Sequence, residues 1–166
     1  DKIVYDVYYK ETSDSDFKLL RSDLNDTFYS LDGLSLADGR YTIKVVAKDT
    51  LDNPAGLSLS GERISEPFDI DNSQPVVTAS GQPVVSGNKA RVGFSASDKF
   101  GYLVRAEYSV NGGEWQTVYA DDGISDSPQE TYSFDVALPT TGEYTITLRV
   151  FDPAGNVGNA STTVLR

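Results

Sequence analysis

Residues 39–49 read Gly-Arg-Tyr-Thr-Ile-Lys-Val-Val-Ala-Lys-Asp, and residues 142–152 read Gly-Glu-Tyr-Thr-Ile-Thr-Leu-Arg-Val-Phe-Asp. Gly39/Gly142, Tyr41/Tyr144, Thr42/Thr145, Ile43/Ile146 and Asp49/Asp152 match at equal offsets. Tyr41, Ile43, Val45 and Ala47 alternate with their neighbours, as do Tyr144, Ile146, Leu148 and Val150, which is the period of a half-buried strand. A strand repeated with its flanking turns constrains the chain to two copies of one small β-domain. Ten Tyr and 14 Gly, with abundant Val, Thr and Asp, favour strands and turns, and no stretch sustains a helical period.

The second copy, residues 73–166, is the easier to parse. Pro75-Val-Val-Thr opens a short edge strand. Ala90 to Asp98 places Val92, Phe94 and Ala96 on one face, and Tyr102 to Val110 places Tyr102, Val104, Ala106, Tyr108 and Val110 on one face. Asn111-Gly112 is a hairpin signal, because both turn positions need positive φ. Trp115 to Tyr119 returns. Thr131 to Leu138 turns Tyr132, Phe134 and Val136 one way, Tyr144 to Val150 follows, and Ala160 to Leu165 closes the domain. Seven short strands of this kind predict an immunoglobulin-like antiparallel sandwich.

The first copy, residues 1–72, aligns only from the third of those strands onward. Ile3, Tyr5, Val7 and Tyr9 match Tyr102, Val104, Ala106 and Tyr108, and Phe17-Lys-Leu-Leu stands where Trp115-Gln-Thr-Val stands. Strands are expected at Thr27–Leu31, at Tyr41–Ala47 and at Arg63–Ile70. Nothing corresponds to residues 75–100, so the first sandwich is expected to lack its two N-terminal strands and to expose apolar sheet. The completing strands are expected from upstream sequence of a parent protein or from a second chain. The absence of Met points the same way, to a chain cut from something longer. The junction Phe68-Asp-Ile-Asp-Asn-Ser-Gln-Pro75 is short and polar.

Several functions are disfavoured. A formal net charge of −11 opposes binding to nucleic acid and to anionic membranes. Without Cys or His there is no thiol nucleophile, no imidazole base and no ordinary zinc ligand, so no enzyme is expected. Leu36-Ala-Asp-Gly-Arg-Tyr41 and Leu138-Pro-Thr-Thr-Gly-Glu-Tyr144 both read as a tyrosine corner, a structural device in which the hydroxyl bonds upstream backbone. Tyr8, Trp115 and Tyr119 are candidate ligand-facing aromatics, as in modules that grip sugars or peptides. Asp69, Asp71, Asn72, Asp98 and Asp152 lie in loops and offer hard oxygens to calcium if those loops converge. The alternative is that Asp and Asn here only cap turns.

The segments Tyr5-Asp-Val-Tyr-Tyr, Phe17-Lys-Leu-Leu and Asp38-Gly-Arg-Tyr-Thr-Ile-Lys-Val-Val-Ala-Lys-Asp resemble fibronectin type III domains. They are also similar to the triple-tyrosine domain of bacterial extracytoplasmic sensors. Asp52-Asn-Pro through Ser65-Glu-Pro-Phe-Asp-Ile-Asp-Asn resembles tandem sandwich modules at the C-terminal end of large secreted bacterial β-propeller proteins. The resemblance implies a secreted or extracytoplasmic module with a structural or docking role, strands upstream of Tyr5 and no catalytic residues. A protein or glycan partner is the matching expectation.

Overall fold

The computed structural model describes residues 2–53 and 56–166. Every strand pairing in it is antiparallel, and no helix is long and apolar enough to cross a membrane among the described residues. The chain forms two compact units, Asp1–Asp71 and Asn72–Arg166.

The second unit is a two-layer antiparallel β-sandwich. Its strands are β6 (Val76–Ala79), β7 (Val84–Ser86), β8 (Lys89–Ser97), β9 (Arg105–Val110), β10 (Gln116–Val118), β11 (Gln129–Ala137), β12 (Glu143–Phe151) and β13 (Val157–Leu165). One sheet runs β10-β9-β12-β13; the other runs β11-β8-β6, with β7 paired to β8. Alternate residues of the two sheets meet in the middle. Phe94, Tyr132, Ile146, Leu148 and Val150 are 0% exposed, with Val92, Val136 and Val164 at 2%. β12 shows why: its inward residues Tyr144, Ile146, Leu148 and Val150 are buried while Glu143, Thr145 and Arg149 look outward. Asn111 and Gly112 have φ of 52° and 70°, and the Asn111 side chain accepts the Thr145 N–H at 2.8 Å.

One phase differs from the sequence expectation. Tyr102 and Val104 are exposed, and the buried residue is Leu103. Residues 99–104 form a loop rather than the start of β9, and the Leu103 N–H bonds Ser127 O instead of a ladder partner. The inward phase therefore begins at Ala106.

The first unit is a single sheet. Its strands are β1 (Val4–Glu11), β2 (Lys18–Leu24), β3 (Gly39–Lys48), β4 (Ser60–Ile64) and β5 (Phe68–Ile70). The order is β2-β1-β3-β4, with β5 also paired to β3. This reproduces the β10-β9-β12-β13 layer of the second unit and, among the described residues, nothing of the other layer. The expected strand Thr27–Leu31 is absent: residues 27–32 carry no strand, and a single turn of 3-10 helix follows at Gly33–Ser35. Its counterpart β11 pairs with β8 alone, along nine residues. The first unit has no counterpart of β8, so this segment has no ladder to join, and its backbone stays irregular. The expected single strand Arg63–Ile70 is two, broken at Ser65-Glu66-Pro67, because proline cannot donate to a ladder. The tail of that run, Phe68–Ile70, thus belongs to the sheet and not to a polar linker.

Candidate functional site

Register places Tyr5, Val7 and Tyr9 of β1 opposite Ala47, Val45 and Ile43 of β3, so these six side chains share one face. In the second unit the residues equivalent to Ile43, Val45 and Ala47 are Ile146, Leu148 and Val150, all at 0% exposure. In the first unit all three are only half-buried. The difference is that no second sheet covers this face among the described residues. Two open apolar grooves lie on this face. One, of about 510 Å³, is bounded by Tyr5, Val7, Ile43, Val45 and the segment carrying Thr27, Phe28 and Tyr29. The other, of about 540 Å³, runs over Tyr5, Ile43, Val45 and Ala47 towards β4. Phe28 is 74% exposed, which is unusual for a large aromatic beside an apolar face.

The opposite face of the same sheet carries a polar network centred on Asp6. Asp6 is 7% exposed and accepts hydrogen bonds from Lys48 Nζ at 2.7 Å, the Asp23 N–H at 3.0 Å and the Tyr8 hydroxyl at 3.3 Å. The Lys48 ammonium holds the Asp6 carboxyl below its ordinary range, and Asp6 in turn raises Lys48. Lys44 Nζ sits 5.1 Å from the Tyr8 ring centre and 4.7 Å from that of Phe17. Tyr8 is therefore half-buried under a lysine rather than presented as a bare ring.

Trp115 and Tyr119 belong to the second unit. The Arg149 guanidinium stacks 3.9 Å over the Trp115 ring, and Arg149 Nε donates to Glu107 at 2.8 Å. Arg105 covers the Phe151 ring at 3.9 Å. This outer face of β9 and β12 is a ladder of cations, rings and one shared carboxylate, and Trp115 beside it remains 41% exposed. Tyr119 is 71% exposed.

Both repeated tyrosines are buried and bond backbone four residues upstream. Tyr41 donates to Ala37 O at 2.9 Å; Tyr144 donates to Thr140 O at 2.8 Å and accepts the Thr140 N–H at 3.0 Å. Burial raises the Tyr41 phenol, whereas hydrogen bonding with Thr140 lowers that of Tyr144.

Of the five acidic and amide residues singled out for calcium, Asp98 and Asp152 are buried in the second unit. Asp69 is spent elsewhere: it stands opposite Arg40 in the β3–β5 ladder and pairs with its guanidinium at 3.4 Å on the surface. Asn72 directly follows Asp71 and is half-buried. Asp98 and Asp152 each directly follow a strand, β8 and β12 respectively. Their N–H-rich loops hold them in place. Asp98 Oδ1 accepts from Phe100 N at 2.9 Å and Gly101 N at 2.7 Å; Asp152 accepts from Asn156 N and Nδ2, both at 2.9 Å.

Neither the protein-family models nor the curated proteins contain a match to this chain. Among solved structures, the chain is similar to the fibronectin(III)-like modules of Clostridium thermocellum CbhA. That likeness covers 98% of this chain and 77% of that one, at 19% identity and a TM-score of 0.46.

Proposed function

We propose that the chain is a non-catalytic structural and interaction module of a larger exported protein, and that its first unit works by accepting strands. The observation that carries this reading is the half-open β1–β3 face, whose equivalents in the second unit are fully covered. The occupant is a pair of antiparallel strands with alternating apolar side chains, supplied from elsewhere in the parent protein. The second unit supplies the template: β6 and β8 cover β9 and β12 with Val77, Ala90, Val92, Phe94 and Ala96. Covering the face in this way also offers the 27–32 segment the ladder that β11 has in β8. The composition, with no His and no Cys, supports the non-catalytic part of the reading.

The test compares equivalent positions in the isolated chain. Val45→Asp is expected to leave the protein folded by circular dichroism while abolishing binding of a hydrophobic dye. Leu148→Asp is expected to unfold the second unit. If Val45→Asp unfolds the first unit as Leu148→Asp does the second, Val45 is closed core and the reading fails. Light scattering decides the source of the strands: a dimer that Val45→Asp dissolves means a second copy provides them.

A further inference from the structure

Resting on the strand-accepting reading, we infer that Gly61 is the place where the incoming strand crosses the first unit, its main chain laid directly on the glycine. Register makes Gly61 the counterpart of Gly158. Gly61 stands opposite Ala47 as Gly158 stands opposite Val150, and Ala47 and Val150 hold the same place in the repeated strand. Both glycines lie on the strand next to the repeat, β4 in one unit and β13 in the other.

In the second unit that position has a reason to be glycine. Pro75 comes so close that a Cβ on Gly158 would lie 1.7 Å from its carbonyl oxygen and 2.7 Å from its carbonyl carbon. The chain then enters β6, which packs beside β13 and sends Val77 into the core. Two backbones at that range leave no room for a side chain.

In the first unit the same glycine has no such reason among the described residues. Nothing lies within 4 Å of a Cβ built on Gly61. Its φ is not left-handed, so the backbone conformation does not demand glycine either. Glycine inside a strand weakens it and often marks the close approach of another backbone. Gly61 also borders the open groove over Tyr5, Ile43, Val45 and Ala47. The occupant is therefore a strand of the parent protein that enters as β6 does, main chain against Gly61, and turns an apolar side chain inward as β6 turns Val77. Arg63 stands where the second unit has Ala160, but it is exposed on an edge strand and its long side chain can swing clear.

The probe is residues 73–98, which carry β6 and β8, joined ahead of the full chain through a flexible Gly-Ser linker. The graft is expected to suppress hydrophobic-dye binding and to raise the melting temperature of the first unit by about 5 °C or more. Gly61→Ala is expected to leave the ungrafted chain as stable as before, or slightly more so, and to remove most of the graft's effect. A graft that closes the face equally well in Gly61→Ala overturns the inference and leaves the strand-accepting reading standing. Unfolding of the first unit by Gly61→Ala in the ungrafted chain also overturns it, because the glycine then serves the unit's own backbone. A graft that changes neither dye binding nor melting overturns the strand-accepting reading, and the crossing point with it.

Discussion

Asp6 and Lys48 show how one residue pair stabilises the polar side of an otherwise open sheet. Asp6 has a lowered carboxyl pKa, chiefly from the Lys48 hydrogen bond, so its contribution is fully present above the ordinary aspartate range and disappears as pH falls through the folded value. Lys48 is raised, so its part is present below the ordinary lysine range and is lost only as pH climbs through the raised value. Asp6→Asn is expected to cost the first unit about 2 kcal/mol at neutral pH and progressively less as pH falls below the ordinary aspartate range, measured by urea unfolding across that range. The two repeated tyrosines make a second contrast. Tyr144 both donates to and accepts from Thr140, whereas Tyr41 donates to Ala37 alone. Ultraviolet titration of Tyr→Phe variants is expected to assign the earlier-titrating phenol to Tyr144 and the later to Tyr41, in line with their opposite shifts. The tyrosine motif was legible in the chain because it is local: Leu, Gly and Tyr at short spacing dictate the corner. The bare oxygen of Asp98 was not, since it depends on which loops meet.

At the scale of elements, the same strand behaves differently in the two copies. Leu148→Ala removes a fully enclosed side chain and is expected to cost about 3 kcal/mol. Val45→Ala, at the equivalent half-open place, is expected to cost about 1 kcal/mol, because no cavity is created. Chemical denaturation followed by a probe in each unit distinguishes them. β13 contributes a different constraint. A Cβ on Gly158 would lie 1.7 Å from Pro75 O, at the entrance to β6. Gly158→Ala is expected to push β6 from the sandwich and to destabilise the second unit by about 2–3 kcal/mol, read from its melting transition. Alternation identified nearly every strand of the second unit. It failed at Tyr102 and Val104, where an alternating run continues into a loop, and at Thr27–Leu31, where a suitable sequence lacks a neighbour to pair with.

For the whole molecule, the large buried hydrophobic cluster lies in the second unit, from Val77 to Val164, whereas the first unit buries only Val4, Val7, Tyr41 and Ile70 among the described hydrophobic residues. The second unit is therefore expected to unfold separately and later. A fragment of residues 71–166 is expected to melt cooperatively on its own, while residues 1–71 alone are expected to show weak tertiary signal and rapid amide exchange. Calorimetry of the intact chain, expected to show two transitions, checks both statements. By itself the sequence determined what depends on near neighbours: the strand period, the hairpin at Asn111-Gly112, the tyrosine corners, the duplication and the absence of thiols and imidazoles. Tertiary structure alone decided what depends on distant partners. It left the first copy as one layer, because a strand without a ladder does not form. It stacked Arg149 of β12 on the Trp115 ring. It buried Asp98 and Asp152 and left Asp69 on the surface against Arg40, because burial is set by segments that the chain holds far apart, and no local pattern records that distance.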